Sequence, residues 1–169
     1  MRTLLVALGL LALAAPAAAQ PSAKPDDVRS VDAIVAALYD VISGPPGPRD
    51  WERFQSLFLP EAHLVYSGKG DDGAVVHKVL TTKDYQDKAG ALFLEEGFFE
   101  RSVANRVDSF GTVAQVFSTY ESRHEKNGKP FSRGINSIQL LSDGQRWWVV
   151  SVLWDSERPD NPIPKRYLP

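Results

Sequence analysis

The chain has 169 residues, 43% of them hydrophobic and 24% charged, with Lys+Arg 19 against Asp+Glu 21 and no cysteine. That apolar content suits one globular domain and is too high for a disordered chain, while a formal net charge of −2 argues against a strongly basic nucleic-acid binder. Without cysteine there is no disulfide framework, thiolate metal site, iron–sulfur cluster or thiol nucleophile, so any chemistry rests on oxygen, nitrogen and aromatic groups.

Residues 1–19 read as a secretory signal: Arg2 supplies the positive start, Leu4 to Ala15 is an unbroken apolar run, and Ala17-Ala18-Ala19 offers small residues for cleavage after Ala19. The product is expected to be periplasmic or secreted and not inserted in a membrane, because no later apolar run is long enough to span one. An exported chain free of cysteine fits a bacterial envelope.

Residues 20–29 are expected to be a flexible leader, with Pro21 and Pro25 in it. From Ser30, a good N-cap, the apolar positions Val31, Ile34, Val35, Leu38 and Ile42 recur at helical spacing. Gly44-Pro45-Pro46-Gly47-Pro48 stops that helix. Asp50 can cap a second, short helix carrying Trp51, Phe54, Leu57 and Phe58 on one side, ended by Pro60. Strand-like runs over 63–66 and 74–80 flank a turn-rich segment and predict a hairpin. Thr82 can cap a third helix with Tyr85, Ala89, Leu92 and Phe93 on one face, and Gly97 stands where a left-handed cap is expected.

Beyond Gly97 the pattern turns to four long strands over 98–110, 113–125, 131–141 and 147–155, joined by short polar links that favour antiparallel neighbours. Helices followed by strands predict an α+β domain over 30–155, with helices on one face of a curved antiparallel sheet. The Pro-rich tail, 156–169, is read as a strap over the surface.

Three stretches carry a resemblance: the helix ending Ala36-Ala37-Leu38-Tyr39, the run from Asp50-Trp51-Glu52-Arg53-Phe54 to Leu59-Pro60-Glu61-Ala62, and the closing Asp143-Gly144-Gln145-Arg146-Trp147-Trp148-Val149-Val150-Ser151. Together, over about residues 30–155, they resemble the NTF2-like superfamily, which includes SnoaL-type cyclases, ketosteroid isomerase and scytalone dehydratase. The resemblance implies a cone-shaped, cystatin-like roll: a curved antiparallel sheet, three helices on one face, a pocket at the open end, and often a homodimer that buries the other face. The fold carries unrelated enzymes and binding domains alike, so it leaves the activity open.

In the isomerase branch a tyrosine on the first helix donates to an oxyanion and an aspartate after the first strand is the base. Tyr39 falls at the tyrosine position, but Tyr66 falls at the base position, and a phenol of pKa about 10 is a poor base near neutrality. A cofactor-free lyase, isomerase or hydrolase would therefore draw on Tyr39, Tyr66 and His63. His63 and His77 face each other across the hairpin if its turn centres near Gly70, with Glu61 or His124 as a third donor, but no recognised ligand spacing is present. Neither metal nor cofactor is expected.

On the later strands, Arg101 and Asn105 share a face by the two-residue period. With Tyr120, Asn136 and Trp154 they form a candidate ligand-binding set suited to a carboxylate or carbonyl. The alternative puts Arg101 and Arg133 outside, paired with Glu100, Glu121 or Glu157. The leading expectation is a domain that binds a small, largely apolar molecule with one polar end. A cofactor-free enzyme or an envelope interaction module stand as alternatives.

Overall fold

The computed structural model describes residues 21–169; the expected signal segment, 1–19, lies outside the described residues. A short helix α1 (Pro25–Val28) occupies part of the expected leader and buries Val28. Helix α2 (Val31–Ile42) starts where the Ser30 side chain accepts from the Ala33 amide, and its apolar stripe buries Ile34, Val35, Leu38, Val41 and Ile42. Helix α3 (Trp51–Ser56) is capped by Asp50 in the same way.

Strand β1 (Phe58–Lys69) then begins earlier than its sequence suggests. Pro60 lies inside it, at the register irregularity between Phe58 and His63, where the missing donor is tolerated. Strand β2 (Val75–Thr81) completes the hairpin, and α4 (Thr82–Glu95) follows with Thr81, not Thr82, as N-cap in a reciprocal box with Asp84. Strands β3 (Phe99–Phe110), β4 (Val113–Arg123), β5 (Ser132–Ser142) and β6 (Trp147–Ser156) close the domain.

The six strands form one sheet in the order β2-β1-β6-β5-β4-β3. All neighbours are antiparallel except β1 and β6, which run parallel. That pair departs from the all-antiparallel expectation, and it lets the first and last strands meet mid-sheet. Phe54 joins the helices to the sheet, packing on Phe58 (4.7 Å between centroids) and Tyr85 (5.4 Å); Phe93 stacks on Phe98 at 4.9 Å. Among the described residues no helix is long and apolar enough to cross a membrane.

Two arginines fix the helix layer. Arg49 donates to the carbonyls of Ile42, Gly44, Pro45 and Gly47, tying down the corner after α2. Arg53 holds Asp27 at 2.7 Å and Asp40 at 2.6 Å, joining α1, α2 and α3. Gly97 is not a left-handed cap: its φ is not positive, and a Cβ there would collide with the His124 carbonyl oxygen. Close backbone approach, not turn geometry, demands glycine.

The tail crosses the sheet's outer face. Ile163 is buried, Tyr167 packs on Phe117, and the Thr119 hydroxyl donates to the Tyr167 carbonyl at 2.6 Å.

The hydrogen bonds from Arg53 hold the Asp27 carboxyl below the usual carboxylate range. A depressed pKa contributes stability above the unfolded value, near 4, that is lost as pH falls through the folded value. Replacing Arg53 with methionine is expected to cost about 2 kcal/mol at neutral pH, with the deficit shrinking below about pH 4; urea unfolding at both pH values measures it.

Candidate functional site

The helices and the concave sheet face enclose a cavity of about 220 Å³. Its walls are largely aromatic, with Phe54, Phe58, Tyr85, Phe98 and Trp154 among them, and Phe131, half exposed, stands at its edge. Strand register supplies a polar wall opposite. Glu100 pairs with Ser122, Ser118 with Asn136, and Gly134 with both Tyr120 and Ser156, so their side chains share one face across β3 to β6.

A hydrogen-bonded chain connects Ser118, Tyr39, Asn136, Glu100 and Ser122, and Tyr120 pairs separately with Ser156. Asn136 Nδ2 donates to Tyr39 Oη at 3.1 Å and to Glu100 Oε1 at 3.4 Å. Ser122 Oγ donates to Glu100 Oε2 at 2.7 Å, and Tyr39 shares a 2.6 Å hydrogen bond with the fully buried Ser118 hydroxyl. Tyr120 Oη meets Ser156 Oγ at 3.2 Å, its ring lying over Gly134, where a Cβ would sit 2.6 Å from that oxygen.

The site is fixed by the end of α2. Ser43 Oγ lies 2.7 Å from the Tyr39 carbonyl and 3.1 Å from that of Glu100, and accepts the Glu100 amide at 2.9 Å. Next to it, Gly44 and Phe98 exchange backbone hydrogen bonds. The helix carrying Tyr39 is thereby stitched to the strand carrying Glu100.

Burial pushes the Glu100 carboxyl above the ordinary range for glutamate, against the opposing pull of the Ser122 and Asn136 hydrogen bonds. Burial likewise raises the Tyr39 and Tyr85 phenols. Among the described residues, no lysine, arginine or histidine lines the cavity. An uncharged acid facing an apolar hollow can donate a hydrogen bond, and the same acid ionised would need a cation beside it.

Tyr39, Tyr120, Asn136 and Trp154 line the cavity; Tyr66, His63, Arg101 and Asn105 do not. Tyr66 touches Trp154 at 6.0 Å between centroids but is itself exposed. His63 is exposed opposite Thr81, and His77 lies opposite Ser67, so the two imidazoles do not face each other: the hairpin turns two residues beyond Gly70. Among the described residues no group of three or more His, Cys, Asp or Glu could hold a metal ion.

Arg101 and Asn105 do not share a face. A bulge between Ser102 and Ala104 adds a residue and inverts the alternation, placing Arg101 opposite Glu121 and Asn105 opposite Ser118. Arg101 lies 2.5 Å from the Glu121 carboxylate on the outer face, and Asn105 is exposed, accepting from the Ser102 hydroxyl. Arg133 also points outward, 3.5 Å from Glu157. Glu100 is the residue that sequence reasoning missed. Its signal was its two-residue phase with Phe98 and Ser102, facing the in-phase polar run Ser118, Tyr120 and Ser122.

No protein-family profile and no curated protein sequence matches the chain. Solved structures do. A cystatin-like protein of unknown function from Nostoc punctiforme superposes with a TM-score of 0.57 at 11% identity, over 79% of this chain and 92% of that one. A provisionally assigned dehydratase of the NTF2-like family from Streptomyces avermitilis gives 0.53 at 14% identity, over 80% and 99%. An NTF2-like protein of unknown function from Methylobacillus flagellatus gives 0.50 at 19% identity, over 76% and 95%. The domain has the NTF2-like, cystatin-like fold.

A raised carboxyl pKa makes folding less favourable once the unfolded chain ionises, near pH 4, and the penalty grows until pH passes the folded value. Glu100→Gln is therefore expected to raise the melting temperature at about pH 8, by ~2–4 °C for each kcal/mol relieved, and to leave it unchanged near pH 4. Calorimetry at the two pH values checks the sign; equal shifts at both would place the carboxyl in a solvated setting.

Proposed function

We propose that the protein is an exported binding domain whose cone takes up a small, largely apolar molecule with one polar end. The observation that carries this reading is the asymmetry of the cavity. Aromatic rings surround about 220 Å³ of space, and polar groups gather at one wall around Tyr39, Glu100 and Asn136. Apolar walls supply affinity, and a few placed polar groups fix orientation. The volume is below the ~300–1,000 Å³ of drug-sized pockets, which favours a ligand of one or two rings.

A second reading, a cofactor-free lyase or isomerase, draws support from Glu100. That residue supplies a half-buried carboxyl close to Tyr39, the group whose absence weakened the enzymatic expectation. Proton transfer needs a titratable group within hydrogen-bond reach of the substrate and a pKa moved toward the working pH. Under this reading Glu100 and Tyr39 are the reacting pair, and His63 and Tyr66 are not. The homodimer implied by the resemblance would use the outer sheet face, part of which the C-terminal tail covers.

Screening aromatic and alicyclic alcohols, ketones and amines by thermal shift tests the binding reading. A ligand at 100 times its Kd is expected to add about 2.7 kcal/mol, and Ser132→Trp, which puts an indole at the cavity wall, is expected to abolish the shift while the variant stays folded. A response unchanged by that plug would move binding elsewhere.

A further inference from the structure

Resting on the reading of the cavity as a binding site, we propose that its polar end is a cation site, so that the ligand is a small aromatic or alicyclic amine whose ammonium group meets Glu100.

The first argument is charge. Glu100 is the one acidic residue lining the cavity, and among the described residues no cation lines it. The titratable groups facing Glu100 from the packed elements are the phenols of Tyr39 on α2, Tyr85 on α4 and Tyr120 on β4. None of them carries a positive charge. The nearest cation along β3, Arg101, is committed to Glu121 on the opposite face.

The second argument is hydrogen-bond direction. The Asn136 amide and the Ser122 hydroxyl both donate to the Glu100 oxygens, one to each. Two donors aimed at two carboxylate oxygens suit the ionised form, yet they leave its charge without a counter-ion. In the empty cone burial favours the proton-bearing form. An ammonium ion would take over the proton's role, adding a charge-assisted hydrogen bond in a water-poor setting.

The third argument is the wall. Aromatic faces carry negative potential and attract cations within about 6 Å of the ring centroid. Tyr39, Tyr85, Phe98, Tyr120 and Trp154 surround the space in front of Glu100. A carboxylate ligand finds no cation in the lining and, with Glu100 ionised, a like charge. The acid-binding role expected for Arg101 is thus replaced by its opposite.

Three probes of matched shape test this: phenethylamine, phenethyl alcohol and phenylacetate, titrated calorimetrically against the full-length domain. At about pH 8 the amine is expected to bind at least about tenfold more tightly than the alcohol, and phenylacetate to bind weakest. As the pH is lowered from 8, in the direction in which Glu100 gains its proton, the amine is expected to lose that advantage and to release a proton on binding, read from heats in buffers of different ionisation enthalpy. Glu100→Gln is expected to remove both the amine's advantage over the alcohol and the proton release, and a single cooperative melting transition reports that the variant folds. An alcohol or phenylacetate that binds as tightly as the amine, or an amine preference that survives Glu100→Gln, overturns the cation assignment but leaves the cavity reading intact. Silence from all three probes overturns the cavity reading and the cation assignment with it.

Discussion

Everything in this molecule turns on how the helix layer is held against the free edge of the sheet. Strand β3 has a neighbour on one side only, and an unpaired edge is both a loss of hydrogen bonds and an invitation to foreign strands. Here residues Ser43 and Gly44 at the end of α2 take up the first backbone groups of that edge, through Glu100 and Phe98. Arg49 then locks the proline-rich corner that follows. Because one stitch joins the backbone of Tyr39 to that of Glu100, the two groups are placed by the same few atoms. Their spacing is a property of the scaffold, not of flexible side chains.

From that placement the electrostatics follow. Polar side chains on the concave face form a connected network, Ser118 to Tyr39 to Asn136 to Glu100 to Ser122. Such a network is costly if any member is orphaned and rigid when all are satisfied. Asn136 is its pivot, since its one amide nitrogen serves both the phenol and the carboxyl. Aromatic packing around it lowers the local dielectric and so strengthens each interaction.

Much of the architecture was legible in the residues. Ser30 as a cap, the α2 stripe and the four long strands emerge from periodicity and turn chemistry alone, and the structure holds them within a few positions. Strand facing was less accessible. One additional residue between Ser102 and Ala104 reverses which side chains look inward, and a bulge leaves no compositional mark. That reversal separates Arg101 from Asn105. Glu100 was read only as a possible outer-face partner for an arginine, because an acid beside an arginine reads as a surface pair, and only register, set by contacts distant in sequence, sends it inside. His63 and His77 missed each other for a similar reason: the hairpin turns at residues 70–74, and a two-residue displacement of its centre is enough.

The tail's attachment has a consequence of its own. Thr119 and Arg106 both grip backbone carbonyls of the final residues, and Ile163, within the same strap, is buried. Because that strap is covalently continuous with β6, it meets the convex side as an intramolecular guest, at an effective concentration of roughly millimolar or more. Any outside molecule seeking that surface competes with a tethered rival that never diffuses away.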